Sequence, residues 1–93
     1  MIDTVLAWNF EAVPAKFDEL AHAAGVAGGG AAFVGWLKAL KATIGISGGL
    51  AARGVTGEHL PQLVALADKD FTSQTNPRPA NAADYERLFL AAM

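Results

Sequence analysis

Pro14-Ala15-Lys16-Phe17-Asp18-Glu19-Leu20-Ala21-His22-Ala23-Ala24-Gly25 is the stretch on which the fold turns. A proline opens it and a glycine closes it. Proline loses nothing in the first turn of a helix, where its missing N–H has no partner anyway. Glycine suits the position just past the last turn, because it adopts the left-handed conformation without a Cβ penalty. Between them Phe17, Leu20, Ala21 and Ala24, with Val13 just ahead, fall on one face at helical spacing.

The same punctuation recurs outward. Upstream, Ile2, Val5, Leu6 and Trp8 predict a short apolar helix that begins abruptly at Met1, with nothing resembling an N-cap before it, and ends at Asn9 and Phe10. Downstream, residues 27–30 read as a glycine loop. A third helix follows, with Phe33, Trp36, Leu37, Leu40 and Ile44 on one stripe and Lys38 and Lys41 on the other side. Residues 45–49 break it, and residues 50–53 form one further turn closed by Gly54. Thr56 is an N-cap, with Glu58 in the positive first turn and Leu60, Leu63, Val64 and Ala67 as the buried face of the next helix. Residues 71–80 are expected to be extended, because two prolines bias their predecessors away from the α region. Asn81 caps the last helix, Asp84 completes a capping box three residues on, and Tyr85, Leu88, Phe89 and Ala92 are its apolar stripe. No strand-like alternation and no internal repeat occurs. The expected class is all-α: a small bundle of four main helices plus a short turn, as a single domain or domain fragment over residues 1–93.

Composition narrows the function classes. At 93 residues and 9.6 kDa the chain holds one domain at most. It is 53% hydrophobic and 17% charged, which excludes a disordered tail. The mean hydropathy of +0.29 is high for so small a chain and comes largely from alanine, which favours packed helices. A net charge of −2 offers no basic field for a phosphate backbone, so no nucleic-acid partner is expected. The absence of cysteine excludes a disulfide framework, a thiolate metal site and a cysteine nucleophile. No apolar run is long enough to span a bilayer, and no basic leader opens the chain. No membrane partner and a cytoplasmic location are the expectation.

Spacing alone assembles no catalytic constellation. Gly45-Ile46-Ser47-Gly48-Gly49 fits the G-x-S-x-G pattern of serine hydrolases, but a helix rather than a strand leads into it. No histidine follows any downstream aspartate, as the triad order would need. The better reading is a glycine-rich helix break with Ser47 capping the next turn. Gly28-Gly29-Gly30 lacks the strand and the third small residue of a dinucleotide loop, so it reads as an interhelical connection. Asp18 and His22 sit four apart and could face one ion, but zinc takes three or four protein ligands. His22 and His59 therefore read as solvated surface residues. Asp68 and Asp70 diverge on a helix, and solvation or an ion pair with Arg78 is their expected role. Phe33 and Trp36 read as core.

An ordered series carries more weight. Gly54-Val55-Thr56, Leu60-Pro61, Thr75-Asn76-Pro77-Arg78-Pro79 and the Asp84-Tyr85 helix follow one another, preceded by Ile44-Gly45-Ile46. This series resembles the C-terminal part of the helical domain of iron-containing (group III) alcohol dehydrogenases, the dehydroquinate synthase-like architecture. Val5-Leu6-Ala7-Trp8-Asn9, with Pro14 and Lys16, resembles the segment just after that family's metal-binding helix, so the likeness spans nearly the whole chain. The resemblance implies an upstream α/β domain that binds NAD(P), and Fe²⁺ or Zn²⁺ held by one aspartate and three histidines. All four ligands would lie upstream of this sequence, and His22 and His59 match none of them. No catalytic, cofactor-binding or metal-ligating residue is therefore carried onto this chain. The family's substrate pocket often receives a cysteine four residues before the Asn-Pro-Arg turn. The resemblance places Thr72 at that position, as a polar residue of similar size on a substrate-cleft wall. It gives Asn76, Pro77, Arg78 and Pro79 the role of a structural turn that holds the last helix.

Two functions follow. The first is the C-terminal helical segment of an NAD(P)-dependent alcohol oxidoreductase, inert by itself and contributing a cleft wall and part of a subunit interface. The second is a small helical interaction module, a homodimer or other oligomer formed through exposed apolar helix faces.

Overall fold

A computed structural model describes all 93 residues. It contains five α-helices and no strand: α1 (Ile2–Phe10), α2 (Pro14–Ala24), α3 (Gly29–Thr43), α4 (Leu60–Lys69) and α5 (Ala82–Ala92). Three 3₁₀ turns, Ala51–Arg53, Gly57–His59 and Phe71–Thr75, connect them. The all-α class stands, but the count of four main helices does not. The opening segment is a complete nine-residue helix of its own. So short a helix is marginal in isolation and is held by packing, here against α3. The chain divides into two compact units, Ile2–Ser47 and Gly48–Met93, at the glycine-rich break.

In the first unit α2 packs on α3, and α1 packs on both. Pro14 and Gly25 bound α2 as expected, and Gly25 has the left-handed φ of 71°. The apolar stripe of α2 is narrower than its spacing predicts. Phe17 and Ala21 are 3% and 1% exposed, Val13 is half-buried, and Leu20 and Ala24 are exposed. Phe10, Phe17, Phe33 and Trp36 form a chain of ring contacts with centroid separations of 5.5, 6.3 and 5.7 Å. The first two contacts are edge-on and the third is stacked, geometries that add to the gain from burial.

The stripe of α3 divides too. Phe33 and Leu37 are half-buried, whereas Trp36, Leu40 and Ile44 are exposed. Lys41, expected on the outer side, is half-buried, with its Nζ 2.7 Å from Asp3 Oδ1. A lysine tolerates this position because its aliphatic stem packs while its charge is paired. Helical spacing ranks positions by residue type, whereas the neighbouring helices decide which side is covered.

In the second unit α4 packs on α5. Leu60 and Ala92 are buried, and Leu63, Val64, Ala67, Tyr85, Leu88 and Phe89 are half-buried. The Asn81–Asp84 capping box has formed. Asp84 N donates to Asn81 Oδ1 at 3.0 Å and Asn81 N donates to Asp84 Oδ2 at 3.1 Å. The far end of α5 is also satisfied. Leu50 N donates to Ala92 O at 2.8 Å and Ala51 N to Met93 O at 3.2 Å. A side chain at position 49 would collide with the Ala92 and Met93 carbonyls, so only glycine admits this approach. The turn after it, Ala51–Arg53, closes at Gly54 with φ 88°, as the sequence predicts.

Residues 71–75 are not extended. They form the 3₁₀ turn Phe71–Thr75, and only beyond it does the chain straighten, with Asn76 at φ −68° and ψ 134°. The proline bias reaches one residue back, to Asn76, and stops there.

Candidate functional site

Thr72, Asn76, Pro77, Arg78 and Pro79 lie on the segment that leads from α4 to α5. Asp70 organises its first half. Its Oδ1 accepts from Thr72 N at 2.9 Å and from Thr72 Oγ1 at 2.6 Å. These two donors stabilise the ionised form and hold the Asp70 carboxyl below its ordinary range. Ser73 Oγ donates to Asp70 O at 2.7 Å and Thr75 Oγ1 to Thr72 O at 3.0 Å. Three hydroxyls and one carboxylate thus satisfy the turn locally, which is why it forms without a buried side chain. Asp70 is exposed, as the solvated reading expects, and its carboxylate caps this turn rather than pairing with Arg78; the Asp-Phe-Thr-Ser order is the sequence sign of it.

Asn76 Nδ2 donates to Arg78 O at 2.6 Å, closing the second half. Arg78 is half-buried, and its charge adds to the lowering of the Asp84 carboxyl at the start of α5. The main cause of that lowering is the Asn81 backbone N–H, and the Arg87 guanidinium, hydrogen-bonded to Asp84, contributes further. The Thr72 hydroxyl is committed to Asp70, and the residue as a whole is exposed.

Of the remaining candidates, Asp18 and His59 have structural partners. Asp18 does not address His22. Its Oδ1 accepts from Gly30 N at 2.8 Å, placing a carboxylate on the positive N-terminus of α3. Gly28 and Gly29 have φ of 104° and 75°, and the Gly30 N–H, one of those a phosphate would seek in this loop, is already bonded. His59 Nδ1 accepts from Thr56 N at 2.9 Å, so His59 is part of a helix start rather than merely solvated. Ser47 is exposed and follows a helix. The turn beyond it starts at Leu50 without any side-chain cap, so the capping role expected of Ser47 is absent. Phe33 is half-buried as part of the core, but Trp36 is 41% exposed.

Each of the two units is helical, and its polar groups mostly serve its own turns and helix ends. The chain belongs to the Fe-containing alcohol dehydrogenase family, whose C-terminal domain it matches over residues 1–93. No curated protein and no solved structure matches it. The family implies iron and NAD(P) in full-length members. The residues of this chain assemble no donor set for the metal. No three His, Cys, Asp or Glu side chains gather where they could hold a metal ion, and the glycine-rich helix start at Gly30 carries Asp18. No single helix is long and apolar enough to cross a membrane.

Proposed function

We propose that this chain is the C-terminal helical segment of an NAD(P)-linked alcohol oxidoreductase and has no activity by itself. In the whole enzyme it forms one wall of the substrate cleft and part of a subunit interface. The observation that carries this reading is the family match along the entire chain. Thr72 lines the cleft in this reading. With its hydroxyl held by Asp70, it contributes shape more than a free hydrogen-bonding group. Asn76, Pro77, Arg78 and Pro79 position α5. The reading extends to the dehydroquinate synthase-like helical architecture and to a cytoplasmic protein. Two measurements test it. The coding DNA upstream of the Met1 codon is expected to continue in frame through a histidine-bearing, metal-binding helix. The purified chain, supplied with NAD(P)⁺, an alcohol and Fe²⁺ or Zn²⁺, is expected to produce no NAD(P)H. Turnover above the metal-only control would overturn the inert reading.

A second reading is supported by a separate observation. Ile44, Leu66, Phe71 and Leu90 are 61%, 61%, 77% and 54% exposed, a large share for so small a chain. A small helical module that self-associates would cover such residues. Light scattering across a hundredfold range of concentration separates the two. A mass that rises to a dimer favours the module when an in-frame stop also stands upstream of Met1.

A further inference from the structure

We propose that His59 is a pH-sensitive cap on the 3₁₀ turn Gly57–His59 that leads into α4. Its neutral imidazole holds the Thr56 backbone N–H, and protonation of the ring releases it. The position where His59 stands in this capping box is normally taken by glutamate or glutamine, whose side chain reaches back to the N-cap N–H. Glutamine does not titrate, and glutamate titrates well below neutrality. Histidine is the residue that changes charge between pH 5 and 8.

The geometry fixes the protonation state that the cap requires. His59 Nδ1 is 2.9 Å from Thr56 N and 3.2 Å from Thr56 Oγ1. A backbone N–H only donates, so Nδ1 accepts with a bare lone pair, and the ring hydrogen sits on Nε2. Protonation places a second hydrogen on Nδ1, facing the Thr56 N–H. Two donors then oppose each other, and the Thr56 hydroxyl oxygen is the acceptor left for the ring. The positive end of the helix opposes the imidazolium as well. Both effects act in one direction: the cap is present at higher pH and is lost as pH falls.

Glu58 precedes His59 on the same 3₁₀ turn and is exposed. The element packed against that turn is α4, whose only charges, Asp68 and Lys69, stand in its last turn. His59 itself is exposed, so solvent protons reach it. The consequence reaches the core, because the residue after His59 is Leu60, 8% exposed, and the loosened turn is the one that leads into it.

The test is nuclear magnetic resonance on the full ¹⁵N-labelled chain between pH 8 and pH 5. Long-range ¹H–¹⁵N correlation reads the tautomer of His59, and amide exchange, corrected for its intrinsic pH dependence, reads the protection of Thr56. At pH 8 the ring is expected as the Nε2–H tautomer. Protection of the Thr56 amide is expected to fall roughly three- to tenfold as the ring protonates, the range of one net hydrogen bond. His59→Gln is expected to remove that pH dependence. An Nδ1–H tautomer at pH 8, unchanged Thr56 protection across the titration, or a His59→Gln variant that keeps the same pH curve would each overturn the proposal. The first two are read on the native chain and do not depend on the variant folding.

Discussion

At the scale of single residues, the glycines of α3 separate steric need from helical habit. A methyl group at Gly30 would stand 2.6 Å from Phe17 Cβ and 2.8 Å from Phe10 Cε2. Phe17 is the most buried aromatic and has nowhere to retreat. Gly30→Ala is therefore expected to destabilise by about 1–3 kcal/mol through overpacking. Gly35, one and a half turns along the same helix, has nothing within 4 Å of where its Cβ would stand and no positive φ. There Gly35→Ala is expected to stabilise by about 1 kcal/mol, since alanine loses less backbone entropy in a helix. Thermal denaturation followed by circular dichroism checks both signs. Equal shifts at the two positions would show that the contact between α2 and α3 at Gly30 is wrong.

At the scale of elements, what was legible was what is written locally. Pro14, Gly25, Gly54, Asn81 and Asp84 each act through their own backbone or that of residues three or four away, so their roles survive without knowledge of the fold. Removing one should have a bounded effect. Asn81→Ala is expected to cost about 0.5–2 kcal/mol, because the Asp84 N–H loses its acceptor at the start of α5. Chemical denaturation measures it. The buried faces were less legible, because the neighbouring helices choose them. Leu60, Leu63, Val64 and Ala67 all fit the spacing of α4, yet Leu60 alone is buried. Leu60→Ala is expected to cost about 2–5 kcal/mol and Leu63→Ala distinctly less. A larger loss at Leu63 would reverse their order in the core. The turn at Phe71–Thr75 was missed for a third reason. The two prolines bias only the residue before each of them, and the hydroxyls that satisfy the turn stand further upstream. Of the candidate site, the segment from Thr72 to Pro79 was legible as an ordered motif, but the partners of Thr72, Asp18 and His59 were not.

At the scale of the whole molecule, acid should unfold the chain through a small set of carboxylates. Asp3 is lowered by its hydrogen bond to Lys41, Asp70 by the two donors of Thr72, and Asp84 first by the Asn81 N–H. A carboxyl held below its unfolded value lends stability above the ordinary carboxylate range and loses it as pH falls through its folded value. The melting temperature is expected to show no loss from these groups between pH 7 and about pH 5, and to fall below about pH 4. A melting temperature that rises on acidification below pH 4 would contradict all three. The joining of Leu50 to Ala92 has a consequence of another kind. These residues stand about forty positions apart, and bringing them together carries the entropy of closing a long loop. Once closed, the unit Gly48–Met93 has its beginning and its end side by side. Its helices could therefore be traversed in a different chain order, with a short peptide bridging the old ends and a new opening cut between α4 and α5. Such a circular permutant would keep the same helix packing.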